Sequence, residues 1–192
     1  MNATDYANKL REQFGAVISS PEEFRGEITV HIADSERIAD VSAFAKIKLG
    51  FNLLVDVSSI DNYGEDPRWT IAYELYGIDT GSYLRLKVSV SEEKSELPTV
   101  TGVWRTADWH EREIYDMMGI RFRGHPDLRR IIMWEGYPHF PLRKDFPLGG
   151  KPTDLPEIAF TKTAPIEGGP FVTAPGSKDA IAREPRAKTF EG

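Results

Sequence analysis

Hydrophobic residues recur along this chain with two periods, and each change of period marks an element. Over residues 4–14, Tyr6, Leu10 and Phe14 stand at i, i+4 and i+8, the spacing of one helical face, with Thr4 or Asp5 available as a cap. That stretch closes near Gly15. In "GEITVHIA" (26–33) the period drops to two, because Ile28, Val30 and Ile32 alternate with Glu27, Thr29 and His31; this predicts a half-buried strand. "DSERIADVSAFAKIKLG" restores the helical period, with Asp34 or Ser35 to start it, Ile38, Val41, Ala45 and Leu49 in one stripe, and Gly50 to stop it. Three more strands follow. Their predicted inner faces are Phe51, Leu53, Val55 and Val57, then Trp69, Ile71, Tyr73 and Leu75, then Leu84, Leu86, Val88 and Val90. The turns between them, "DNYGEDP" and "GIDTG", are short and rich in Gly, Asp, Asn and Pro, and short links favour antiparallel pairing. Residues 1–133 therefore read as an α+β domain, a mostly antiparallel sheet with helices packed on one face.

Farther on, "WHEREIYDMMGIRFRGHPDLRR" (109–130) combines charge with large apolar side chains. Asp108, followed three residues later by Glu111, has the form of a capping box, and Gly119 suits the position after a helix, which predicts a helix over 109–118. His110, Ile114 and Met117 or Met118 share one face of it; Trp109, Glu113 and Asp116 share another. Ile120 and Phe122 then alternate with Arg121 and Arg123 as a short strand. From Trp134 onward the patterning stops, and nine of the thirteen prolines fall between 134 and 192. Residues 134–192 are expected to be a long extended C-terminal segment that buries little surface of its own and wraps a partner.

Composition narrows the function. With 192 residues, 40% of them hydrophobic, the chain can build one sizeable core. Its 24 Lys and Arg against 30 Asp and Glu give a net charge of -6, which argues against nucleic acid as a partner, since phosphate affinity comes from excess positive charge. There is no cysteine, so disulfides and thiolate-held clusters are excluded, and a nearby redox centre would belong to another subunit. No apolar run approaches the roughly 20 residues that cross a bilayer, and the N-terminus lacks the apolar core of a signal peptide. A chain held in the cytoplasm, or at a membrane by something else, is expected.

Candidate chemistry is thin. The helical zinc pattern H-E-x-x-H would need histidine where Ile114 stands, and Glu111 and Glu113 at i and i+2 point to different sides of a helix. His125, before Pro126, reads as a turn residue bonding the nearby backbone. A stand-alone metal-dependent hydrolase would require His110, Glu111 and His125 to converge. Arg121, Arg123, Arg129, Arg130, Arg143 and Lys144 are interleaved with Asp116, Asp127, Glu135 and Asp145, so ion pairing explains them more simply than phosphate binding. "LGGKPTD" (148–154) fails as a phosphate loop because Pro152 takes the Ser/Thr position. What remains is a density of Arg, Trp, Tyr, Phe and Met joined to a proline-rich extension, the residue types of protein interfaces.

"ADWHEREIYDMMGIRFRGHPDLRRIIM" with "PLRKDFPL", spanning 107–148, resembles the signature of the C-type subunit family of proton-translocating NADH:quinone oxidoreductase, respiratory complex I. "LLVDVSSIDNYGEDPRWTIAYELY" and "LRLKVSVSEEKSELPTVTGVW" extend the resemblance over residues 28–150. His139 stands where the family often has glycine. The resemblance implies a structural core subunit of the hydrophilic arm, with no catalytic residue, metal or cofactor of its own. NAD, FMN, iron–sulfur clusters and quinone would then reside in other subunits. The implied signature and partner-interface positions are Glu111, Arg112, Glu113, Tyr115, Asp116, Gly119, Gly124, His125, Pro126, Leu128, Arg129, Arg130, Pro141, Leu142, Arg143, Lys144, Asp145 and Pro147. Implied partners are the hydrogenase-like quinone-site subunit of the D type, the cluster-bearing subunit of the B type and other complex I subunits. The implied location is peripheral, on the cytoplasmic side of the bacterial inner membrane. A ferredoxin-fed quinone oxidoreductase or a membrane-bound hydrogenase has a subunit that is similar.

Overall fold

Apolar side chains from three helices and from the strands meet in one cluster, and that cluster is the core of the computed structural model, which describes residues 3–148. Helix α1 (Ala3–Phe14) presents Tyr6, Ala7 and Leu10, all buried, at the helical spacing read from the sequence. Strands β1 (Glu22–Phe24) and β2 (Glu27–Ile32) form a hairpin, and a 3-10 turn follows in which Asp34 accepts the Glu36 N–H at 3.0 Å. Helix α2 (Ile38–Leu49) then buries Ile38, Val41, Ala45 and Leu49, the predicted stripe. It ends at Gly50, whose φ of 82° is left-handed and suits a residue without a Cβ.

Strands β3 (Leu53–Asp61), β4 (Trp69–Gly77) and β5 (Ser82–Val90) make an antiparallel meander, as the short links predict. The full order is β1-β2-β5-β4-β3, and the β2–β5 pairing is parallel because a helix and two strands intervene along the chain. The fold is thus α+β, with a mostly antiparallel sheet. Inner faces of β4 and β5 match the sequence reading residue for residue, with Trp69, Ile71, Tyr73, Leu75, Leu84, Leu86, Val88 and Val90 buried.

Strand β3 corrects one expectation. Leu53 and Val55 are exposed, while Leu54 is buried, because the register against β4 slips between Leu54 and Asp56. A bulge inserts one residue, so the alternation changes face there and Val57 returns to the core.

A second, two-stranded parallel sheet pairs β6 (Glu96–Pro98) with β7 (Arg121–Arg123) across helix α3 (Ala107–Met118). β6 has no counterpart in the sequence reading, since three residues are too few to show a period. Helix α3 starts two residues before its predicted bound, and Gly119 at φ 77° closes it.

The chain divides after Gly136 into two units. In the second, residues 137–148 form turns: the Arg143 N–H donates to the Phe140 carbonyl at 3.3 Å and the Phe146 N–H to the Arg143 carbonyl at 3.0 Å. The expected extended course from 149 onward lies outside the described residues, as does most of "LGGKPTD".

Candidate functional site

The signature segment is organised around two buried carboxylates on α3, of which Asp116 forms the ion pair the interleaved charges suggested and Glu111 differs from its sequence reading. Glu111 does not cap the helix, and neither does Asp108: Thr106 is the residue at the N-cap, with no side-chain cap bond. Instead Glu111 points inward with no exposure. Its Oε1 accepts the Val100 N–H at 2.8 Å and its Oε2 accepts from the Thr99 hydroxyl. Among the described residues no Lys or Arg lies within ion-pair distance of it. Burial pushes its carboxyl up from 4.5 to about 7, against the two hydrogen bonds that pull it down.

His125, its side chain fully buried, lies with Nε2 at 3.9 Å from Glu111 Oε2. Its Nδ1 accepts the Asp127 N–H at 3.0 Å, as the sequence reading expected of a turn histidine. That bond fixes the proton of the neutral ring on Nε2, which faces the Asp108 carbonyl oxygen at 3.3 Å and Asp108 Oδ1 at 3.2 Å. Tyr73 of β4 is buried nearby, its phenol raised well above 10 by burial and by the Glu111 charge.

Asp116, one helical turn and a half farther along, is also fully buried. Its Oδ2 accepts three consecutive N–H groups, from Ile131 at 2.9 Å, Ile132 at 2.7 Å and Met133 at 2.8 Å. Its Oδ1 pairs with the Arg130 guanidinium, which also donates to the Asp116 carbonyl at 2.9 Å. Burial works to raise its pKa, but the three N–H donors and Arg130 outweigh it and hold the carboxyl below its usual 3.8. Asp116 therefore ties residues 130–133 to α3 just before the first unit ends.

The other signature positions surround these two. Arg112 lies over the Trp109 ring at 5.4 Å and donates to the Arg129 and Arg130 carbonyls at 3.2 and 3.3 Å. Arg129 chelates Asp127, with bonds of 2.6 and 2.7 Å, and both carboxyl and guanidinium are stabilised in their charged forms by that pair. Arg123 pairs with Glu36 and Glu96. Ion pairing thus absorbs Arg129 and Arg130 through the interleaved Asp127 and Asp116, as the sequence suggested, and Arg123 through acids outside the segment. Glu113 is exposed, Tyr115 is half-buried, Leu128 packs against the core, and Gly119 closes α3. Gly124, at φ 82°, and Pro126 sit exposed on the turn that carries His125.

In the second unit Arg143 covers the Phe140 ring at 4.5 Å. His139 meets Tyr137 edge-on at 5.6 Å and lies 6.1 Å from Phe146, so the side chain found in place of glycine is absorbed by rings. Pro138, Arg143 and Asp145 help to line a pocket of about 240 Å³ there. Leu142, Lys144, Asp145 and Pro147 are exposed and Pro141 is half-buried.

Among the described residues His110, Glu111 and His125 do not converge as a set: His110 pairs with Asp56 of β3 at 3.2 Å, whereas Glu111 bonds the 99–101 turn and has His125 at 3.9 Å. Among the described residues no group of three or more His, Cys, Asp or Glu is placed to hold a metal ion. No helix among them is long and apolar enough to cross a membrane. One cluster escaped the sequence reading altogether. Arg68 is buried, bonded through Nε and Nη2 to Asp61 at 2.9 Å each, and lies 4.4 Å over the Trp69 ring. Both residues border a Gly- and Pro-rich turn, where composition predicts exposure.

Comparison with known proteins bears on this geometry. Residues 31–152 match the family described as "Respiratory-chain NADH dehydrogenase, 30 Kd subunit". The C-type subunit of NADH-quinone oxidoreductase from Geotalea uraniireducens is 49% identical over 142 residues, covering 74% of this chain and 86% of that one. Its counterpart from Geobacter sulfurreducens is 46% identical over 143 residues, covering 74% and 88%. Among solved structures, the trypsin-resistant fragment (1-134) of Nqo5 superposes with a TM-score of 0.58 at 33% identity, over 67% of this chain and all of that one. A chain of an archaeal membrane-bound sulfane sulfur reductase shares the fold, with a TM-score of 0.64 at 19% identity over 75% of this chain and 85% of its own.

Proposed function

Because the chain belongs to the family of the C-type, or 30 kDa, subunit of NADH-quinone oxidoreductase, we propose that it is a non-catalytic structural subunit of the hydrophilic arm of proton-translocating complex I. It docks the subunits that form the quinone site, the hydrogenase-like subunit of the D type and the cluster-bearing subunit of the B type, on the cytoplasmic side of the inner membrane. NAD, FMN, the iron–sulfur clusters and quinone are carried by those and other subunits, a division supported here by a sequence without cysteine.

The observation that carries this reading is the Asp116 tether. A fully buried carboxylate that spends every hydrogen bond on the backbone of 131–133 and on Arg130 has no capacity left for substrate. What it does is fix the chain's exit from the first domain, so that Arg112, Arg129 and Trp109 are presented on one rigid segment. Electron transfer needs cofactors held at constant spacing, and a neighbour can supply that rigidity without touching a redox centre. On this reading Glu111 and Asp116 shape the docking face from within, and exposed signature residues contact the partner. Residues 134–192 run along the quinone-site subunit.

The test is assembly. Arg143→Ala and Asp145→Ala, introduced separately into the chromosomal gene, should lower recovery of the quinone-site subunit with this chain in complex purified from membranes. A normal complement of subunits in both variants would remove these residues from the interface.

A further inference from the structure

Glu111 is a buried ionisable group that a purely structural role does not require. We infer that Glu111 and His125 form a proton-linked latch, in which the proton on Glu111 holds the 99–101 turn and the Gly124–Asp127 turn onto α3, and its loss lets them open. This inference is independent of which subunits dock on the chain.

Four elements meet at the latch, and their ionisable groups are few. Helix α3 contributes Glu111 and Asp108, the turn after β7 contributes His125, β4 contributes the Tyr73 phenol, and the 99–101 turn contributes only hydroxyls and N–H groups. Two of the surrounding oxygens, Tyr73 Oη and Asp108 Oδ1, are buried outside hydrogen-bond geometry with any neighbour. A negative charge on Glu111 thus faces another carboxylate and a phenol, and among the described residues no Lys or Arg lies within ion-pair distance to balance it.

With the carboxyl protonated the network closes on itself. Oε1 still accepts the Val100 N–H, the acid O–H donates to the Thr99 hydroxyl, and that hydroxyl donates to Thr101, 2.9 Å away. In the closed turn His125 Nδ1 accepts the Asp127 N–H. Once the proton leaves, the charge gains solvation only as water reaches the carboxylate, and an open groove of about 590 Å³ lies alongside, its lining including Thr99, Thr101, Arg105, Asp108, Gly124 and Pro126 from the two turns and the approach to the helix. Opening there loosens the start of the segment that leads to the Asp116 tether.

The experiment measures amide hydrogen exchange of the full chain, corrected for the intrinsic rate at each pH. A carboxyl near 7 that falls to 4.5 when the turns open makes protection at Val100 and Asp127 drop about tenfold between about pH 6 and about pH 8.5. Glu111→Gln, which mimics the protonated group, should hold both amides within about twofold over that range. A carboxyl carbon titration of Glu111 in the unaltered chain gives a second readout that needs no variant, with a midpoint near 7 expected. A midpoint in the ordinary carboxylate range overturns the latch. So does protection at Val100 and Asp127 equal to that of β4 and β5, because the turns would then open only with the whole domain.

Discussion

Asparagine at position 116 would keep the shape of the tether and remove its charge, which makes Asp116→Asn the sharpest test of how the C-terminal exit is fixed. In the native chain one carboxylate satisfies three backbone N–H groups and one guanidinium. Asparagine offers one amide oxygen and one NH2: with the oxygen in the place of Oδ2 the nitrogen meets the Arg130 guanidinium, and with the oxygen in the place of Oδ1 it meets the three N–H groups, donor against donor either way. Hydrogen bonds to a charged group contribute about 1.5–3 kcal/mol, and a buried donor left without an acceptor costs about 1–3 kcal/mol more. The sum is about 4 kcal/mol, in line with the roughly 3–5 kcal/mol lost when one partner of a buried pair is removed. For a domain of this size that lowers the melting temperature by about 10 °C. If instead residues 130–133 detach locally, melting moves little, and tryptic cleavage after Arg129 or Arg130 accelerates by about two to three orders of magnitude. Circular dichroism melts and timed proteolysis distinguish these outcomes. Because the folded carboxyl lies below its usual value, its contribution is present above the ordinary Asp range and lost as pH falls through the lower folded value, so the deficit should close only below about pH 4. Unchanged melting together with unchanged cleavage at neutral pH would refute the tether. Asp127→Asn, whose partner Arg129 is on the surface, is the control and should alter neither.

Two further outcomes concern stability. A raised folded pKa means that the folded chain binds the Glu111 proton more tightly than the unfolded chain, so stability falls as pH rises from 4.5 to about 7 and is flat above. At about 1.36 kcal/mol for each tenfold change in proton affinity, the difference is about 3 kcal/mol, and Glu111→Gln should gain that much relative to the native chain between about pH 4.5 and about pH 8.5 in urea titrations; parallel pH profiles would sink the assignment. At the bulge in β3, Leu54→Ala should lose about 3 kcal/mol and Leu53→Ala under about 1 kcal/mol, and the reverse order would restore the face that simple alternation predicts.

Where the sequence was legible, each residue had one task. Leu84, Leu86, Val88 and Val90 need only be buried, and a period of two reports that directly; Ile38, Val41, Ala45 and Leu49 do the same at the helical period. The bulge at Leu54 escaped because every residue from Leu53 to Val55 is apolar, so either face fits the pattern and only pairing with β4 decides. Polar residues were the harder case. Glu111 has the spacing of a helix cap and Asp116 shares a face with Trp109 and Glu113, which are exposed, yet both acids are buried, because their partners lie at Thr99 and Val100 in one direction and at 131–133 in the other. A carboxylate shows where it belongs only when its donors are known, and backbone N–H groups are present at every residue but proline, so they leave no trace in composition. The long charged motif records this arrangement without explaining it. "EREIYD" holds two inward acids separated by exposed Glu113, half-buried Arg112 and Tyr115 and buried Ile114, and the "GHPDLRR" that follows supplies the histidine, the turn and the arginine those acids meet. Such a spacing is fixed by contacts on both sides of the helix at once, which is why it is legible as a resemblance to relatives before it is legible as physics.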